Sequence, residues 1–357
     1  MMDKNQSQQA GDNAQQTQYE NCSITVINGI DEKRAREISL EVFNTLRKEL
    51  TNEAFETAKK RVQKLENVLI PRIQKIDKAF NAFSDPAFQY ILYKAQKSAA
   101  KTERPADYEL LSELLIRRIK KGFDRNIRAG INRAVEIVDD LSDEALLGLT
   151  VSFFMEQFTP TNGIISEGLD YFNKILQAIS YDRLPTESEW IDNLDVLGAV
   201  RMSVSSTTSR ISYEDYFSEN TTGYWSVGIK KGSENHSKAI AMLNEVSIDK
   251  TFLCDHELNP SYVRLAVSNE KIIDTLSFIT DKQKKNVHEI FSMYENNTQL
   301  QKTIKRNLYT ELEARKYLND ARQWWNNLPI FYKITSVGKN VAYANAQRIC
   351  PDLPPLK

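Results

Sequence analysis

The chain has 357 residues, 41% of them hydrophobic and 27% charged, with only 12 glycines and 10 prolines. That length exceeds what one core ordinarily supports and the balance favours helices over a loop-rich β fold, so two domains and an appendage are expected. Lys+Arg 47 against Asp+Glu 48 leaves a formal net charge of -1, which removes any global electrostatic reason to bind nucleic acid or an anionic membrane.

The chain opens on an amide-rich, proline-free tract from Asn5 to Gln18, followed by the alternating run Cys22-Ser23-Ile24-Thr25-Val26. A lone strand is marginal in water, so this one needs a partner. Pairing between copies would close its edges into a small β assembly, with Cys22, Ile24, Val26 and Ile27 as the oligomerisation residues and a trimer expected before a dimer. A polar tail whose single strand docks on its own domain is the alternative.

Helical spacing begins at Asp31, a suitable N-cap, with Ala35, Ile38, Val42, Leu46 and Leu50 on one stripe. The stripe continues through Phe55, Ala58, Val62, Leu65 and Leu69 to Pro71, as one long helix or two broken near Thr51-Asn52. A second unit through Ile73, Ile76, Phe80 and Phe83 is punctuated by Asp85-Pro86 and resumed by Phe88, Ile91, Leu92 and Ala95. Shorter helices are expected over Tyr108 to Lys121, Arg125 to Val138, Asp143 to Phe158 and Ile164 to Ile179, with Asp124 and Ser142 as caps. Short connections make such helices pack antiparallel, giving a helical bundle up to about residue 200.

Beyond Leu197-Gly198-Ala199 the texture changes. Gly223 to Ile229 and Tyr262 to Val267 have the aromatic and β-branched enrichment of strands, separated by an amphipathic stretch at Ala239, Ile240, Leu243 and Val246. Helical spacing returns from Lys271 to Leu328, and Trp324-Trp325 reads as an aromatic core patch. Phe331 to Ile334 is followed by Thr335 as N-cap, a last helix from Val337 to Ile349, and a proline-rich tail; Gly338 would let the first turn sit close to a neighbour. The expected fold is mainly α: an N-terminal β assembly segment over 1–30, a helical domain over 31–200 and a smaller mixed α/β part over 201–357.

The order of a Gln-rich lead, Gly11-Asp12-Asn13, further Gln, a short β run, Asn28-Gly29-Ile30 and Ala35-Arg36-Glu37-Ile38 resembles the opening of a group of uncharacterised bacterial proteins of similar length. Ala14 stands where a serine is more usual in that group. The likeness covers the first fifty or so residues, with Leu110 to Thr150 and Ile334 to Gly338 following more loosely. Relatives with such heads occur among phage-defence and mobile-element genes, so the resemblance implies a bacterial, antiviral setting; it brings no catalytic residue.

Two clusters carry chemistry. Arg117, Arg118, Lys120, Lys121, Arg125, Arg128 and Arg133 span a helix–turn–helix connection and could contact phosphates, although Glu109, Glu113, Asp124 and Glu136 surround them. Cys254-Asp255-His256-Glu257 is the dense acid/base group, but consecutive residues of a strand point to opposite faces and cannot all converge. Three distant cysteines, Cys22, Cys254 and Cys350, make neither a disulfide framework nor a metal knuckle, and no phosphate-cradling or nucleophile-elbow motif occurs. No cofactor or metal is expected. With no basic and apolar leader and no run of about 18 apolar residues, a cytoplasmic protein outside the membrane is expected.

These features favour a non-enzymatic homo-oligomer that binds itself and a protein partner or phage component. The alternatives are nucleic-acid binding through Arg117, Arg118, Lys121, Arg125 and Arg128, and an enzyme using Asp255 and His256.

Overall fold

The computed structural model describes residues 30–202, 211–277 and 279–356. Cys22, Ile24, Val26 and Ile27, the expected oligomerisation residues, lie outside the described residues. The fold is mainly helical, with two small antiparallel sheets. Two compact units divide after Gly122.

The first unit begins with α1 (Glu32–Asn44), whose first turn is capped by the Asp31 carboxylate, which accepts from the Arg34 N–H at 2.7 Å. A tight 3-10 segment, Thr45–Glu49, makes the break expected near Thr51, and the Thr51 hydroxyl caps α2 (Asn52–Gln74). Pro71 does not end α2. The buried stripe of Leu69, Ile70 and Ile73 runs past it, and Arg72 reaches Glu113 at 2.6 Å, so packing outweighs the lost backbone bond. A 3-10 stretch, Ala79–Ser84, leads into α3 (Pro86–Lys101), capped by Asp85, and α4 (Pro105–Lys121). α2 packs on both α3 and α4. A buried polar lock joins three helices: the Gln96 side-chain amide donates to the Ser39 carbonyl at 2.9 Å, and the Ser39 hydroxyl donates to Glu66. Burial raises the Glu66 carboxyl above its ordinary range.

The second unit starts with α5 (Arg125–Ile137), capped by Asp124, and α6 (Asp143–Gln157), capped by Ser142. α6 is buried on all sides from Ala145 to Met155, as expected of a helix at the centre of a core. α7 (Ile165–Ile179), α8 (Glu189–Val196) and β1 (Val200–Met202) follow. Next come α9 (Tyr213–Asn220), α10 (Thr222–Trp225), β2 (Ile229–Lys230), α11 (Glu234–Glu245), β3 (Leu253–Asp255) and β4 (Tyr262–Leu265). The chain ends through α12 (Ile272–Thr275), α13 (Asp281–Ser292), α14 (Thr298–Glu313), α15 (Lys316–Asn326), β5 (Tyr332–Ile334) and α16 (Ser336–Ile349).

β1 pairs antiparallel with β5, Val200 opposite Ile334 and Met202 opposite Tyr332, while α16 packs on α5 and α6. Residue 200, where the composition changes, is therefore stitched to the end of the chain. The second sheet has the order β2-β4-β3 and rests on a core of Ile229, Leu243, Val263, Leu265, Val287 and Ile290.

The strand expected from Gly223 to Ile229 is a correction. Residues Thr222–Trp225 turn as a short helix, and only Ile229–Lys230 is extended. Gly223 donates its N–H to the Ser268 carbonyl at 2.9 Å, an approach so close that a Cβ there would meet the Val267 carbonyl at 2.4 Å. The turn buries Tyr224 and aims its hydroxyl at the Asn162 carbonyl, 2.6 Å away, and lets the Trp225 indole donate to the Ser218 carbonyl at 2.8 Å. Aromatic content here serves tertiary contacts rather than a pleat.

Candidate functional site

The acid/base cluster lies where β3 runs into the turn before β4. Asp255 points outward, 78% exposed, and pairs with Lys231 at 2.8 Å. His256 points inward and is 1% exposed. Its Nδ1 accepts from the Leu258 N–H at 3.2 Å, which leaves the proton on Nε2 to donate to the Ser226 carbonyl at 2.9 Å. Burial pushes the imidazole down to about 4, so it is neutral across the physiological range. Asp255 and His256 are thus adjacent in sequence but on opposite sides of the strand. Burial also raises the Cys254 thiol, away from nucleophilic character.

Arg264, and the structural role it shares with Glu257, form the part of this region that sequence reasoning missed. The Glu257 carboxylate accepts from the Ile165 N–H at 2.6 Å and the Ser166 N–H at 3.1 Å, closing the start of α7. Burial alone would raise its pKa; the Ser166 hydroxyl, those two amides and Arg264 outweigh it and hold the carboxyl below its ordinary range. Arg264 is fully buried. Its Nη1 donates to the Leu265 carbonyl at 3.0 Å and the Val267 carbonyl at 3.2 Å, Nη2 donates to the Gly163 carbonyl, and Glu257 lies 3.8 Å from Nη2. The guanidinium also sits 5.5 Å from the centre of the Tyr224 ring. This constellation is a clamp that ties the small sheet to α7. A charged residue in the middle of the apolar run Tyr262-Val263-Arg264-Leu265 was its sequence signal.

The basic cluster is divided by the fold. Arg117, Arg118, Lys120 and Lys121 end α4 in the first unit, and Arg125, Arg128 and Arg133 lie on α5 in the second. Arg118 is buried, with its guanidinium folded against Gly122. Lys120, Lys121 and Arg125 are exposed, Arg117 and Arg128 half-buried, and Arg133 pairs with Glu136 at 3.0 Å. Among the described residues no group of three or more His, Cys, Asp or Glu side chains is placed to hold a metal ion, and no helix is long and apolar enough to cross a membrane.

A cleft of about 500 Å³ opens in the second unit between α15 and the extended segment that follows α7. Its helical wall carries Lys316, Asp320 and Gln323 at intervals of three and four residues, one stripe of α15, and Asn327 follows at the helix C-cap. Trp324 forms part of the floor; its indole donates to the Pro185 carbonyl at 2.7 Å and is backed by Trp190, with ring centres 5.8 Å apart. The facing segment contributes Arg183, Leu184 and Thr186. Among the described residues, the side chains of Arg183, Asp320 and Gln323 make no hydrogen bond or ion pair, and Lys316 contacts only the Tyr317 ring, 5.3 Å from its centre. Neighbouring cations are committed differently: Arg315 holds Asp170 at 2.7 Å and Glu311 at 2.8 Å, and Arg322 holds Glu214. Sequence reading took the tryptophan pair as core, which both are, and did not see the polar stripe beside Trp324.

No curated protein and no solved structure matches the chain. A protein-family model matches residues 29–355, covering both compact units. The chain therefore belongs to that family, an uncharacterised one of bacterial type.

Proposed function

We propose that the chain is a non-enzymatic, homo-oligomeric interaction protein of the bacterial cytoplasm, with residues 1–30 as its assembly segment and the second unit as its recognition module. The observation that carries this reading is the division of labour among polar side chains. Of the acid/base residues at 254–257, Glu257 holds the sheet on α7 and His256 is neutral and inside, whereas the cleft along α15 keeps Arg183, Asp320 and Gln323 facing solvent and uncommitted among the described residues. Recognition, rather than turnover, uses such an arrangement. The resemblance of the head to proteins encoded among phage-defence genes supports a role as a sensor or effector against phage.

Light scattering on the full chain and on a chain starting at Asp31 tests the assembly. The full chain is expected to give a trimer and the shortened one a monomer; equal masses overturn the proposal. Plating efficiency of phage on cells with and without the protein tests the setting.

A further inference from the structure

We infer that the cleft between α15 and residues 180–186 is a binding site for a free nucleoside 5′-monophosphate. This rests on the reading of the second unit as a recognition module and names its ligand class.

The argument is the order of chemistry along one stripe of α15. Lys316 supplies a cation at the start of the helix, and Asp320, one turn on, supplies a carboxylate. Gln323 supplies a side-chain amide in the next turn, beside the indole of Trp324 and the apolar side chains of Leu184 and Leu328, and Asn327 follows at the C-cap, its own side-chain N–H donating to the Gln323 carbonyl at 2.8 Å. At 1.5 Å of rise per residue, Lys316 and Trp324 are separated by about 12 Å along the axis. A nucleotide presents its groups in the same sequence over a comparable length: an anionic phosphate, a sugar with hydroxyl donors, then a planar base with an apolar face and a hydrogen-bonding edge. Lys316, with Arg183 on the facing wall, meets the phosphate. Asp320 accepts from the sugar hydroxyls, the role a carboxylate plays at a ribose. The Gln323 amide and the side-chain oxygen of Asn327 read the edge of the base against the apolar floor.

Two further observations favour this ligand. Arg183, Lys316 and Asp320 make no ion pair among the described residues, which leaves both cations and the carboxylate open to a ligand. The remaining acid of the lining, Asp182, accepts from the Arg183 backbone N–H at 2.6 Å and so serves the bend of its own segment. The volume, about 500 Å³, falls within the range of small-molecule sites.

The test is binding to the full chain of adenosine, guanosine, cytidine and uridine 5′-monophosphates, the matching nucleosides, and inorganic phosphate, by calorimetry and tryptophan fluorescence. At least one monophosphate is expected to bind more tightly than its nucleoside. Lys316→Glu should erase that advantage, and Asp320→Ala should weaken nucleotide and nucleoside alike, each by about tenfold or more. Both positions are solvent-exposed, so the variants keep the fold, which circular dichroism checks. The assignment is overturned if no monophosphate binds at about 1 mM, if both variants bind as the natural chain does, or if a 5′-phosphorylated oligonucleotide binds more tightly than the mononucleotide. Turnover of a bound nucleotide would overturn the non-enzymatic reading while leaving this site in place, and the mass of the assembly bears on neither.

Discussion

The backbone of Gly338 lies so close to Ala199 that a Cβ on Gly338 would stand 2.1 Å from the Ala199 carbonyl oxygen. Thr335 secures the same contact: its N–H donates to the Ala199 carbonyl at 3.0 Å and its hydroxyl to the Gly198 carbonyl at 2.7 Å. Because the neighbouring atom is backbone, it cannot swing aside. Gly338→Ala is expected to lower stability by about 1–3 kcal/mol, as overpacking in a fixed setting does, measured by urea unfolding. An unchanged midpoint would show that α16 can slide away from β1 without cost.

Acid should weaken the fold through His256. Its native pKa, about 4, lies below the ordinary 6.5, so as pH falls the unfolded chain takes up the proton first. Stability from this group is whole above 6.5, declines as pH falls toward 4 and levels off below, a loss on the order of 3 kcal/mol. Unfolding free energies measured between those limits should show a steeper pH slope in the natural chain than in His256→Gln. Equal slopes would place the acid sensitivity elsewhere.

His288 should act with the opposite sign. Hydrogen bonds to Asp274 at 3.0 Å and Glu270 at 3.1 Å raise its pKa above 6.5, joining α13 to the segment that carries α12. The contribution is fully present below 6.5 and lost as pH rises through the raised value. Imidazole proton resonances followed by NMR should titrate later for His288 in the natural chain than in Asp274→Asn. Coincident curves would remove the clamp.

Arg264 and Glu257 should prove coupled. Arg264→Ala leaves the carbonyls of Gly163, Leu265 and Val267 without their donor, and is expected to cost about 3–5 kcal/mol. Glu257→Ala removes the partner of the α7 amides and leaves the guanidinium buried with less compensation. The double variant should be less destabilised than the two single losses added together; strict additivity would show that the two groups act independently.

Much of the helical frame was legible because its signals are local. Asp31, Asp124, Ser142 and Thr335 announce helices through a side chain that bonds two or three residues on, and all four do so. The limits of α5 and α7 follow the apolar stripes of Ile131 and Val135, and of Leu169 and Leu176, nearly residue for residue. What escaped reading depends on residues far away in the chain. Pro71 carries on a helix because Arg72 has Glu113 to hold, and Gly223 turns because Ser268 stands beside it. The site followed the same rule. Asp255 and His256 could be doubted from strand alternation alone, but the clamp of Glu257 on α7 joins residues 92 apart. The cleft needed both Arg183 and α15, which no local pattern connects.

Among the described residues strand β1 pairs only with β5, and α6 has α16 as one of its packing partners. During synthesis, then, the ribosome delivers α5 to α8 long before the segment that completes them. Until β5 and α16 emerge, the faces of α5 and α6 that α16 covers lie open, with α7 and α8 already in place against α6. A nascent chain stalled before β5 therefore leaves apolar surface of α6 open to chaperones and proteases.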